Sequence, residues 1–198
     1  MVDQTLAVAP RRTRRLDEER AQAILRATYD LLREAGYQGL RVDAVCARAQ
    51  ASKATVYRHW PTKASLVADA IRTCKSGEAG VPDTGSLRGD LVAWFGAIAR
   101  SVAGDEGPLL AGLFVAMTHD PELAAELRSM RDSKVAHAEA VCARAEHRGE
   151  LRPGYDPGLI DEIVPAQLFM RHFALGQELD DEFIEHLVDD IMLPLLVR

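Results

Sequence analysis

The chain has few of the residues that staple or stack a fold: three cysteines and two tryptophans in 198 residues, with 6% aromatics. Cys46, Cys74 and Cys142 are far apart, odd in number and form no C-x-x-C pair. That excludes a disulfide framework and points to a reducing cytosol. No apolar run approaches the roughly 18 residues that a spanning helix needs. The first 15 residues have no apolar stretch behind their charges, so they do not read as a secretory leader. A soluble, cytoplasmic protein without a membrane partner is expected. There is no G-x-S-x-G, no H-E-x-x-H and no glycine-rich phosphate loop, and Asp180, Asp181 and Glu182 read as a solvated helix start. No catalytic residue, and therefore no enzyme, is expected. His119, His137, Cys142 and His147 lack ligand spacing, so neither a metal nor a cofactor is expected.

What is present is an ordinary globular composition, 47% apolar and 27% charged, in a length that suits one domain with a small appendage. A chain of this size buries about 70% of its unfolded surface and needs no cross-link to hold a core. The net charge of −6 is unevenly spread. Residues 1–75 hold 14 Lys/Arg against 8 Asp/Glu, a net of +6, and residues 76–198 hold 10 against 22, a net of −12. A basic first third on an acidic remainder is the pattern of a polyanion-binding head on a body that does not touch the polyanion.

The apolar periodicity is helical throughout and predicts an all-α fold of about nine helices. Residues 1–15, with Arg11, Arg12, Arg14 and Arg15, read as a flexible basic arm. From Asp17 onward, Ala21, Ile24, Leu25, Thr28, Leu31, Leu32 and Ala35 recur at three- and four-residue steps, with Asp17, Glu18 and Glu19 in the first turn and Gly36 as the stop. A short helix over residues 42–49, a gap at Gln50-Ala51-Ser52 and a second short helix from Lys53 to His59 form a helix-turn-helix outline, with Ser52 as N-cap. Pro61 ends the second short helix and Thr62 caps the next. Residues 75–86, rich in Gly, Pro and small polar side chains, mark a boundary, and five helices follow. The expected division is an arm at 1–15, a head at 16–61, and a linker helix plus body at 62–198.

The most informative stretch is residues 51–66. One short helix presents Lys53, Thr55, Arg58 and His59, while Val56 and Trp60 are spaced to pack inward. Such a surface suits a major groove. Lys and Arg attract phosphates or read guanine edges, Thr contacts a base edge or a thymine methyl, and the small Ala54 permits close approach. Tyr57 and Lys63 offer backbone contacts. The run Ser52-Lys-Ala-Thr-Val-Tyr57, the aromatic Trp60, then Thr62-Lys63 and Leu66 resembles the TetR family of bacterial transcriptional regulators. Upstream, Gly36-Tyr-x-Gly-Leu40 and Val42-x-Ala-Val45-x-x-x-Ala49 extend the resemblance over about residues 17–71.

The resemblance implies a three-helix DNA-binding head, and a body that binds a ligand and forms the dimer. It implies that Lys53, Ala54, Thr55, Tyr57, Arg58 and His59 lie on the recognition helix, with Tyr57, His59 and Lys63 on phosphates; the N-cap Ser52 and an added phosphate contact from Arg41 complete the expected DNA-binding set. This chain departs from the family pattern in having Arg41 where a Thr or Ser caps the second helix, and Gln50 where the turn has Gly.

In the body, the last two helices carry more apolar residues than one core-facing stripe needs. Ile160, Ile163 and Val164 on the penultimate helix and Phe183, Leu187, Val188 and Ile191 on the final one are expected to form a four-helix interface with a second copy. The resemblance places a ligand pocket among the middle helices, with Trp94, Ile98, Phe114, Met117, His137, Val141 and Phe173 as candidates. The expected function is a repressor that leaves an inverted-repeat operator in double-stranded DNA when a small apolar effector binds. The alternatives are an effector-independent DNA-binding regulator and a metal- or redox-responsive one.

Overall fold

The structure, a computed structural model, describes residues 11–75 and 82–197. Among them there are helices, turns and irregular connections but no strand. The chain divides into two compact units, residues 1–76 and 77–198.

The first unit is built from α1 (Arg11–Gly39), α2 (Val42–Arg48), α3 (Lys53–His59) and α4 (Lys63–Lys75). α1 starts well before Asp17, so residues 11–15 are helical rather than part of an arm, and residues 1–10 lie outside the described residues. Arg is a good helix former, and no capping residue at Asp17 halts the helix as it extends toward the N-terminus. Asp17, Glu18 and Glu19 are accordingly not first-turn residues. Gly36 interrupts α1 at φ 66°, ψ 176°, a region open almost only to glycine, where the sequence predicts the stop. The core of this unit is Ile24, Leu25, Leu32, Leu40, Val45, Val56, Trp60, Leu66, Val67 and Ile71, all buried. Thr28 is buried among them and donates its hydroxyl to the Ile24 carbonyl at 2.8 Å, which satisfies the one polar group on that stripe. α4, grouped with the body in the sequence reading, packs against α1 within this unit.

The second unit contains α5 (Leu87–Ala103), α6 (Gly107–His119), α7 (Pro121–His147) and α8 (Gly158–Phe169), which runs on into a π-helical turn at Met170–Ala174. The terminal rod is α9 (Asp181–His186), a π-helical stretch (Leu187–Met192) and α10 (Leu193–Leu196). Asp120 and Asp180 cap α7 and α9 by accepting from first-turn amides. The π-helical stretch follows from the sequence pattern. Apolar pairs at 183/184, 187/188, 191/192 and 195/196 repeat every four residues, longer than the 3.6 of an α-helix. A wider turn with i→i+5 bonds absorbs that excess and keeps Met192 and Leu196 fully buried, while Ile191 comes half out.

The residues expected at a dimer interface are mostly inside this unit. Ile160, Val164, Phe183, Leu187 and Val188 are buried in one cluster with Leu91, Phe95, Ala138, Val141 and Cys142. The body's own α5 and α7 cover them, so the apolar stripe does not need a second copy to be shielded. Only Ile163 and Ile191 of that set remain partly exposed.

Asp90 of α5 is a fully buried carboxylate. It accepts from the Thr84 amide at 2.6 Å and hydroxyl at 2.8 Å, with Arg144 and Arg148 of α7 at 3.6 and 3.4 Å. Burial raises its pKa, but the Thr84 bonds and the two guanidinium charges outweigh that and hold the carboxyl below its ordinary value. The group ties residues 82–86 to the end of α7.

Candidate nucleic-acid interface

The turn between α2 and α3 is set by hydrogen bonds around one unusual residue. Gln50 has φ 50°, a conformation that glycine adopts more readily. The strain is met by a complete Schellman closure: the Ala51 amide donates to the Cys46 carbonyl at 2.9 Å and the Gln50 amide to the Ala47 carbonyl at 3.4 Å. The chain thus makes the turn although glycine is missing. At the other departure, Arg41 occupies the N-cap of α2 with extended backbone and no side-chain cap bond. An Arg side chain carries no acceptor to close that end.

α3 begins at Ser52, whose hydroxyl oxygen accepts from the Thr55 amide at 3.1 Å and lies 2.9 Å from the Thr55 hydroxyl. The helix has two distinct faces. Val56 and, just beyond the helix, Trp60 are buried, and the Trp60 indole donates to Asp69 of α4 at 2.8 Å, which fixes α3 against that helix. Lys53, Ala54, Tyr57, Arg58 and His59 face outward, with Thr55 half-buried at the margin. Tyr57, at 48% exposure, is a large aromatic side chain that the core does not use. Lys63, at the start of α4, holds its ammonium 4.3 Å above the ring of Tyr37 on α1. Of the nine DNA contacts expected from the sequence, Arg41, Ser52, Lys53, Ala54, Tyr57, Arg58 and His59 are exposed, and Thr55 and Lys63 are half-buried. What sequence reasoning missed is that carboxylates accompany the cations. Asp43 of α2 lies 2.7 Å from the Lys53 ammonium, and Asp17 of α1 lies 3.4 Å from the Arg58 guanidinium. Neither carboxylate has a local spacing signal, because each pairing joins different helices.

Among the seven ligand candidates in the second unit, the aromatic contacts fall into two groups. Trp94 meets His137 edge-on at 6.4 Å, Val141 is fully buried in the core, and Ile98 and Met117 are half-buried. Phe114 and Phe173 belong to a different group and are joined through Phe169, with ring centroids 4.7 and 5.2 Å from it. Both stay open to solvent, Phe114 at 52%. Two open clefts, of about 600 and 460 Å³, are lined by other residues, the first by Leu87, Arg88, Glu150 and Leu193 and the second by His172, Gln177 and Leu179. Among the described residues no group of His, Cys, Asp and Glu is placed to hold a metal ion. The buried Cys142 thiol is pushed up to about 11 by desolvation and by the nearby Glu146 charge, so it is not a thiolate at neutral pH.

Two short helices joined by a left-handed turn, the second with a basic outer face and an aromatic anchor beneath it, define a helix-turn-helix DNA-binding protein. Comparison with known proteins gives the particular family. The family model described as bacterial regulatory proteins, tetR family, matches residues 24–70, and the one described as tetracyclin repressor-like, C-terminal domain, matches residues 81–191. The chain belongs to the TetR family of transcriptional regulators, which are DNA-binding proteins and not enzymes. It is 37% identical over 181 residues to a DNA-binding transcriptional repressor TetR of Mycobacteroides abscessus, covering 90% of this chain and 95% of that one. It is 33% identical over 179 residues to the HTH-type transcriptional regulator YdeS of Bacillus subtilis, covering 90% of each. Among solved structures, the TetR family transcription regulator SCO0332 superposes with a TM-score of 0.75 at 28% identity, covering 91% of this chain and all of that one.

Proposed function

We propose that this regulator is a cytoplasmic repressor that binds an inverted-repeat operator as a homodimer and leaves it when a small apolar ligand occupies its second unit. The single observation that carries the DNA half is the division of α3, with Val56 and Trp60 locked inward and Lys53, Ala54, Tyr57, Arg58 and His59 presented outward. In this reading α3 enters the major groove. Thr55 and the basic side chains meet base edges, while Arg41, Ser52, Tyr57, His59 and Lys63 position the head on phosphates. Residues 16–61 act as the reading head, and residues 62–198 as linker helix and controlling body. The name of the Mycobacteroides relative, a repressor, supports the sign of the regulation.

Dimerisation uses the outer faces of α8 and the terminal rod, where Ile163 and Ile191 remain partly exposed and Met170 is 56% exposed beyond them. Two heads held by such an interface read half-sites about 34–36 Å apart, or a multiple of that. The ligand site uses the open aromatic edge of Phe114, Phe169 and Phe173, to which an apolar molecule adds the missing packing partner. Release requires only that the ligand bind more tightly to the arrangement of heads that fits DNA less well.

The test is a gel shift on the DNA upstream of the protein's own gene and its neighbours. Thr55→Ala and Tyr57→Phe are expected to weaken binding about tenfold, the effect of one lost base or phosphate contact, without changing the melting curve. Wild-type affinity in both variants would remove α3 from the groove.

A further inference from the structure

The outer face of α3 carries two permanent cations, and each already has an anion. Lys53 Nζ lies 2.7 Å from Asp43 Oδ1, with the two side chains 59% and 71% exposed. Arg58 Nη2 lies 3.4 Å from Asp17 Oδ1, and these are likewise half or more exposed. Both pairs therefore lie on the surface that an approaching duplex meets, and neither belongs to the packed interior. Asp43 has a second reason for its place, since it stands in the first turn of α2, where the helix dipole favours a carboxylate. Its hydrogen bond and charge raise the Lys53 pKa, which marks an attraction that a phosphate has to replace.

We propose that Asp43 and Asp17 are internal counterions of the recognition helix: they compete with DNA phosphates for Lys53 and Arg58 and so set how tightly the head binds. The inference rests on the DNA-binding reading above. DNA gains Lys53 and Arg58 only by displacing the two carboxylates, so the acids lower the affinity of the head for any duplex that it grips through these side chains.

The experiment is a double-mutant cycle on the full-length protein, read by fluorescence anisotropy with a labelled random-sequence duplex of about 30 base pairs. At about 50 mM salt, Asp43→Asn is expected to raise affinity about threefold to fivefold, the size of one exposed ion pair released. In a Lys53→Gln background the same change is expected to have almost no effect, because no ammonium remains to be released. The gain also shrinks toward unity at about 300 mM salt, where the pair in the free protein is screened. The Asp17→Asn and Arg58→Gln cycle repeats the measurement independently, should Asp43→Asn loosen α2. An equal gain with and without Lys53 would mean that Asp43 merely repels phosphates through space, and no gain in either cycle would mean that the pairs do not compete; either result overturns the proposal. Failure of the underlying DNA reading looks different, since the folded wild type would then show no affinity for duplex even at low salt.

Discussion

Among the described residues, both units pair charges on their surfaces, but only the second builds an ion network around a buried carboxylate. In the first, the cations pair on the surface: Lys53 with Asp43, Arg58 with Asp17, Arg48 with Glu34 and Arg72 with Asp69, all exposed except the half-buried Asp69. In the second, Arg144 and Arg148 converge on Asp90, which is completely buried. Exposed pairs exchange readily with other ions and weaken with salt, which suits a surface that trades its partners for phosphates. A buried carboxylate held by two guanidinium groups and two Thr84 donors is insensitive to salt, and leaving it unpaired would be costly. The contrast shows that net charge is a poor guide to role. The acidic unit uses its most elaborate ion network for cohesion, and the basic unit leaves its charges available.

Core substitutions in each unit test the separation most severely. Trp60→Ala removes the buried indole and its bond to Asp69, and is expected to cost the first unit about 3–5 kcal/mol. Leu187→Ala is expected to cost the second about 2–5 kcal/mol, because Leu187 is fully buried. Hydrogen exchange resolved by segment should show protection falling mainly in residues 17–75 for the first and in 87–197 for the second. If Leu187→Ala instead left a folded protomer that no longer dimerised, the residue would belong to an interface and not to the core.

A milder comparison uses pH. The Asp90 carboxyl is held below its ordinary value in the folded chain, so its contribution is fully present above the unfolded carboxylate range, near about 3.9, and fades as pH falls toward the folded value. Denaturant midpoints of the second unit should therefore drop on acidification, while Asp90→Asn should start lower at pH 7 and change less. A wild type and an Asn variant with parallel pH profiles would dissociate Asp90 from that behaviour. The smallest effects belong to the turn. Ser52→Ala should destabilise the first unit by about 1 kcal/mol through loss of the cap to Thr55. Gln50→Gly should stabilise it by about 0.5 kcal/mol, because glycine adopts φ 50° without the Cβ clash. Both are measurable from denaturant midpoints.

Legibility in the sequence follows the same division. The α2–α3 unit was readable because its signals are local: the Ser52 cap, the four-residue step from Val56 to Trp60, and the run from Ser52 to Tyr57 all act within one or two turns. The excess apolar character of the last helices was equally visible, yet its destination was not. A stripe does not reveal whether α5 and α7 or another protomer will cover it, and here Leu187 and Val188 found their partners within the unit. Phe114 differs in the other direction: expected to line a pocket among the middle helices, it stays open to solvent beside Phe169. The carboxylates beside α3 and the Asp90 network were illegible for one shared reason. Each joins residues on separate helices, and no periodicity encodes such pairings.

The most direct test of the central proposal, that the exposed face of α3 grips duplex DNA through its backbone, is the dependence of binding on salt. With about eight phosphates contacted by a pair of heads, the logarithm of the affinity should fall against the logarithm of salt concentration with a slope near about −7. A slope close to zero, with the protein folded and the duplex intact, would contradict it.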